Sequence, residues 1–204
     1  MTQPSDEKVL LLQLLRQYNE RPQDREKIHR QIQEHFHHTT AILVLDASGF
    51  TRTTRASGII HFLAIMERLQ RVVVPNIQRY GGRHLKSEAD NIFASFESVD
   101  AAVQCANDVL TQIAAANILM PADDEIYASF GIGYGEVLLI GDEEIYGDEM
   151  NLACKLGEDL AERGELLITE AAYSALREAK MQFKEEHFSI SGLQLKVYRL
   201  TTGS

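Results

Sequence analysis

Five consecutive apolar residues, Ala41-Ile42-Leu43-Val44-Leu45, run directly into an aspartate, Asp46. A short apolar run of this kind reads as a central strand buried on both faces. A carboxylate at the end of such a strand is costly unless something uses it. The residues that follow, Ala47-Ser48-Gly49-Phe50-Thr51, are small ones, a glycine and then a helix start. That order aims backbone N–H groups at an anion. The strand therefore fixes both a sheet and a place on it where chemistry is expected.

The rest of the chain arranges itself around this strand. A helix is expected over 57–80, with Ile60, Leu63, Met66, Leu69 and Val73 inward, a kink at Pro75 and a stop at Gly81-Gly82. A hairpin follows, with strands at 84–87 and 91–96 and Glu88-Ala89-Asp90 in its turn. A second helix covers 99–115, and an extended stretch interrupted by glycines runs from Ile126 to Ile140. The order β-α-β-β-α-β is the ferredoxin-like split βαβ arrangement. An acidic loop (141–144), a helix over 148–161, a strand at 166–168, a short helix at 170–178 and strands at 183–189 and 195–200 extend the same sheet. The fold class is α+β, an α/β sandwich.

Ahead of the sheet, residues 1–38 read as a helical hairpin. Its first helix carries Val9, Leu10, Leu12, Leu14 and Leu15, and its second Ile28, Ile32 and Phe36 at i, i+4 spacing. Pro22 lies between them, suited to the first turn of the second helix. His35, His37 and His38 cluster at its end as solvated side chains.

Charge and composition exclude several classes. Twenty Lys and Arg stand against thirty Asp and Glu, a net charge of −10, so the clustered positive charge that nucleic acid demands is lacking. A phosphate-rich ligand would need metal ions or a local basic cluster. The run from Val9 to Leu15 is broken by Gln13 and preceded by Asp6 and Glu7, which fits neither a secretory signal nor a membrane span. Cys105 and Cys154 lie far apart and read as free thiols in a reducing compartment. The expectation is a cytoplasmic protein without nucleic-acid or membrane partners.

Asp90 is the second candidate. In a split βαβ sheet the hairpin borders the first strand, so Asp46 and Asp90 can meet. Two carboxylates about 4 Å apart repel by roughly 4 kcal/mol at an effective dielectric near 20, which a divalent cation removes. Gly131-x-Gly133-x-Gly135 is no dinucleotide loop, because a strand and not a helix follows it.

Three separated blocks now combine: Asp46-Ala-Ser-Gly-Phe-Thr; Gly81-Gly82-x-x-x-Lys86-x-x-x-Asp90; and Gly147-x-x-x-Asn151-x-Ala153-x-Lys155. In this order and spacing, residues 39–204 resemble the catalytic domain of the class III nucleotidyl cyclases, the adenylate and guanylate cyclases. The resemblance implies a head-to-tail homodimer that converts a nucleoside triphosphate to its 3′,5′-cyclic monophosphate and pyrophosphate with two Mg²⁺ or Mn²⁺ ions. It places Asp46 and Asp90 on the metal-binding aspartates and the Ala47 carbonyl on the backbone metal contact, with Phe50 and Thr51 beside the triphosphate. Lys86 falls on the purine-reading residue, a lysine in adenylate cyclases. Asn151 falls on the ribose-orienting residue. Lys86 and Asp90 would then serve opposite sites of the dimer.

Two positions depart from the family pattern. Glu144 aligns with the second purine-reading position, usually Asp or Thr, and Lys155 aligns with the transition-state arginine, so the bidentate fork is lost. Lys86 favours ATP, since lysine donates to a purine N1 whereas guanine presents a donor there. GTP remains open, as do UTP or CTP (the substrates of stand-alone phage-defence cyclases). A nucleotide-binding regulatory module is the non-enzymatic alternative.

Overall fold

A computed structural model describes residues 6–47, 54–55, 57–141, 143–178, 181–190 and 193–201. The hydrophobic run forms β1 (His37–Ala47), which begins immediately after the second helix of the hairpin and is buried from Thr40 to Leu45. The expected split βαβ order follows: α3 (Ile59–Arg79), β2 (Arg83–Glu88), β3 (Asn91–Phe96), α4 (Val99–Asn117) and β4 (Ala128–Ile140). Strands β6 (Leu166–Thr169), β7 (Gln182–Ile190) and β8 (Leu193–Thr201) extend the sheet to the order β2-β3-β1-β4-β6-β8-β7. A short strand, β5 (Glu144–Tyr146), which had no counterpart in the sequence reading, pairs with β4 from the last residue of the expected acidic loop onward. β1 is antiparallel to both β3 and β4, so Asp46 lies opposite Asn91 on one side and Ser129 on the other.

Alternation along β1 divides the interior. Leu43 and Leu45 face α3 and α4, joining Leu69, Val73, Val109 and Ile113 in the main core. Ile42 and Val44 face the other way, toward Met150 and Ala153 of α5 (Asp148–Cys154). The inward stripe of α3 is Phe62, Ile65, Met66, Leu69, Val73 and Ile77, whereas Ile60 and Leu63 are 82% and 57% exposed. Met66 has a helical neighbour at both i−3 and i−4, and the core takes the i−4 residue, Phe62. The helix stops at Gly81, whose φ of +72° suits glycine.

The hairpin consists of α1 (Asp6–Glu20) and α2 (Arg25–Phe36), joined by a 3-10 turn at Pro22–Asp24 that takes the proline. Ile28, Ile32 and Phe36 are buried as expected. From α1 the buried residues are Leu11 and Leu14, while Val9, Leu12 and Leu15 stay exposed. A leucine-rich run fits several helical phases, and docking against Leu138 and Ile140 of β4 selects one. Among the described residues no helix is long and apolar enough to cross a membrane.

The three β4 glycines are a seat for α5. A Cβ at Gly131 would lie 2.0 Å from the Ala153 carbonyl oxygen and 2.6 Å from the Gly157 nitrogen, and one at Gly133 would lie 2.5 Å from the Glu149 carbonyl oxygen. Only glycine lets the helix backbone approach this closely. After Cys154 the expected continuous helix becomes a π-helical turn, Lys155–Leu160, pinned where the Ser129 hydroxyl donates to the Gly157 carbonyl at 3.0 Å. Its last residues give way to extended backbone at Ala161. The helix at Glu170 ends at Ala175 as α6 (Glu170–Ala175). Gly131→Ala should destabilise by ~3 kcal/mol or more, because backbone must move. Gly135→Ala meets only the Glu149 side chain, and its cost should be about 1 kcal/mol. Urea titration of both variants checks the contrast; equal costs would contradict it.

Candidate active site

The sheet delivers Asp46 and Asp90 to one place. The two-residue turn of the β2–β3 hairpin, with Ala89 at φ +52°, sets Asp90 beside the end of β1, and the Ala47 N–H donates to the Asp90 carbonyl at 2.9 Å. Asp46 is half-buried, and burial first, then the charges of Asp90, Glu158 and Asp159, push its carboxyl up to about 6. A carboxylic acid held this far above its ordinary range by burial and by neighbouring negative charge marks a candidate functional site.

Residues that local sequence reading passed over complete the cluster. Glu158 and Asp159 come from the π-helical turn, a distortion frequent at functional sites. Asn91 stands opposite Asp46; its Nδ2 donates to Glu158 Oε1 at 3.1 Å, and its buried Oδ1 finds no partner among the described residues. Burial foremost, with Asp159 and Asp90, also raises the Glu158 carboxyl. The one available signal for Glu158 and Asp159 was their position three and four residues beyond Lys155, one helical turn away.

These residues fit a hard divalent cation. Two convergent carboxylates and an unpartnered amide oxygen are oxygen donors of the kind Mg²⁺ and Mn²⁺ take. Among the described residues no three His, Cys, Asp or Glu side chains converge tightly enough to form a complete metal cage. Backbone carbonyl, phosphate and water would therefore supply the remaining positions, as is usual for Mg²⁺.

A second group lies on the same sheet face. Lys86 pairs with Glu88 at 2.6 Å and stands 5.0 Å from the centre of the Phe93 ring. Its charge reaches Glu144, whose carboxyl is held below the usual range chiefly by hydrogen bonds from Lys8 and Tyr146. Lys86 also acts on Cys154, although burial still pushes that thiol up to about 11. Asn151 is exposed on α5, and Lys155 is half-buried at the start of the π-helical turn. Phe50 and Thr51 lie outside the described residues. Glu149 of α5 is tied into the fold: its Oε2 accepts from the Tyr134 N–H at 3.1 Å and the Thr169 hydroxyl at 2.6 Å.

Asp46 gives a pH-dependent expectation. Its folded-state pKa of about 6 exceeds the ordinary 3.8, so the ionised residue costs stability above pH 6 and nothing below about pH 4. Two pH units correspond to ~3 kcal/mol, which water at this half-exposed site reduces to about 1–2 kcal/mol. Asp46→Asn should therefore raise Tm at pH 7.5 without divalent ions, with the gain vanishing toward pH 4. Mn²⁺ should raise the Tm of the wild type more than that of the variant. Calorimetry across this range checks both; a variant no more stable at pH 7.5 would contradict the assignment.

No protein-family model matches the chain. It is 30% identical over 133 residues to a protein of Rhizobium meliloti named "Putative adenylate cyclase 3", and the match covers 65% of this chain and 22% of that protein. The chain thus spans about a fifth of that relative's length. Among solved structures, an adenylate/guanylate cyclase/hydrolase from Silicibacter pomeroyi superposes with a TM-score of 0.70 at 21% identity, covering 82% of this chain and 99% of that one. The guanylate cyclase domain of a Catenaria anguillulae protein, solved with GTP, gives 0.68 at 17% identity, covering 81% and 97%. In sequence the chain resembles the class III adenylate and guanylate cyclases, and its fold is that of their catalytic domains.

Proposed function

We propose that this domain cyclises a nucleoside triphosphate, ATP in preference, to the 3′,5′-cyclic monophosphate at a site shared by two copies of the chain. The juxtaposition of Asp46 and Asp90, with the Asp46 carboxyl raised to about 6, is the observation that carries this reading. Asp46, Asp90 and the carbonyl of Ala47 would hold two Mg²⁺ or Mn²⁺ ions. Bound ions of this kind supply acidification of a ribose 3′-hydroxyl and charge neutralisation of a triphosphate.

In the reaction the 3′-oxygen bonds to the α-phosphorus, the α–β phosphoanhydride bond breaks, and the hydroxyl proton leaves to solvent as pyrophosphate departs. The protein's own part is positioning and charge stabilisation. Phe50 and Thr51 would border the triphosphate, and Asn151 would orient the ribose. Lys155 would offer positive charge to the transferring phosphoryl group, without an arginine's paired donors.

Base choice follows from donor and acceptor counting. Lysine only donates and an ionised glutamate only accepts. Lys86 with Glu144 therefore suits an edge that presents an acceptor beside an amine, as N1 and the 6-amine of adenine do. Cytosine offers the same pattern; guanine and uracil reverse it. The reading has two chains because, in the resembled family, base- and ribose-reading groups come from the partner subunit. A reducing, cytoplasmic setting fits the unpaired thiols of Cys105 and Cys154.

The test is incubation of purified protein with ATP, GTP, CTP and UTP, each with Mn²⁺ or Mg²⁺, and product identification by mass spectrometry. Cyclic AMP should dominate. Asp46→Ala and Asp90→Ala should each lower its formation by ~10²-fold or more, and Lys86→Glu should shift preference toward GTP. Undiminished product from both aspartate variants would refute the metal assignment. A chain that stays monomeric at high concentration with nucleotide would refute the shared site.

A further inference from the structure

Resting on the base-reading role given above to Lys86 and Glu144, we propose that Lys8, from the N-terminal hairpin, is a specificity-determining positioning residue: it fixes Glu144 as an ionised, acceptor-only group and so selects bases whose pairing edge sets an amine beside an acceptor ring nitrogen, as adenine's does and guanine's does not.

The contact joins residues 136 positions apart, with Lys8 Nζ donating to Glu144 Oε1. The other carboxylate oxygen accepts from the Tyr146 hydroxyl at 2.9 Å. Each oxygen keeps a free lone pair for an amine, and two donors to the carboxylate, one of them an ammonium, favour its ionised form over the protonated one. Gly141, three residues before Glu144, is held by the same helix: Glu7 Oε2 accepts from the Gly141 N–H at 2.5 Å, while Arg83 donates to the Gly141 carbonyl at 2.5 Å. The first turn of α1 thus grips both ends of the segment 141–144.

Lys8 is a poor choice for α1 on its own account. It lies in the first helical turn, where the backbone dipole disfavours a cation, and its side chain is 43% exposed, so the ion pair returns little stability. Its consequence is positional. Glutamate is one methylene longer than the aspartate usual at this place in the resembled family, and a longer arm has more rotamers to wander through. Lys8 and Tyr146 remove that freedom, which keeps the carboxylate pointed and charged beside Lys86.

The experiment measures binding of 3′-deoxy-ATP and 3′-deoxy-GTP, which cannot cyclise, to the full chain with Mg²⁺, alongside turnover of ATP. The wild type should favour the adenine analogue. Lys8→Met should reduce that preference about fivefold or more, appearing in KM for ATP more than in kcat, and Lys8→Arg should restore it. In a Glu144→Gln background Lys8→Met should have no further effect, which separates action through Glu144 from general loosening of α1. An unchanged preference in Lys8→Met, or an equal loss in the Gln background, would overturn the role of Lys8. A chain that discriminates the analogues as described yet forms no cyclic product would overturn the cyclase reading alone. A chain that binds neither analogue would overturn both.

Discussion

The arrangement depends on one close approach of backbone to backbone. Gly131 of β4 and Gly157 of the π-helical turn lie so near that a Cβ on Gly157 would sit 3.1 Å from the Gly131 nitrogen and 3.2 Å from the Val44 carbonyl oxygen. Every atom nearest to a Cβ at Gly157 is backbone, of Gly131 or Val44. The turn therefore rides directly on the two central strands. Its acidic residues reach Asp46, and Asn151 and Lys155 share its helix.

This proximity explains the electrostatics. Burial first, and then the charges of Asp90, Glu158 and Asp159 from two neighbouring elements, push the Asp46 carboxyl up to about 6. A fold rarely tolerates such repulsion for stability alone; the strain is released by a cation or by protonation. The sheet also separates tasks along its face. The acidic cluster gathers at the β1–hairpin corner, whereas the Lys86–Glu144 group lies toward β5 and the N-terminal hairpin.

The hairpin's leucines illustrate where local pattern stops. Runs such as Val9–Leu15 declare a helix but not its face, because nearly every phase offers apolar residues. Docking on Leu138 and Ile140 chose Leu11 and Leu14. The same contact carries Glu7 and Lys8 to Gly141 and Glu144, the two end residues of the expected acidic loop, the second of which opens β5.

Local patterning along the chain suffices for the central strand, the split βαβ order, the placement of Asp46 at a strand end and Asp90 at a hairpin turn, and the resemblance to a cyclase pattern. Each is written in spacing over a few residues, where strand and turn preferences act. Long-range packing brings Asn91, Glu158 and Asp159 to Asp46, seats a helix on the β4 glycines and sets Lys8 against Glu144. Those outcomes hang on contacts between residues tens to more than a hundred positions apart, and the packing of the whole sheet, unlike local periodicity, sets which distant side chains share a face.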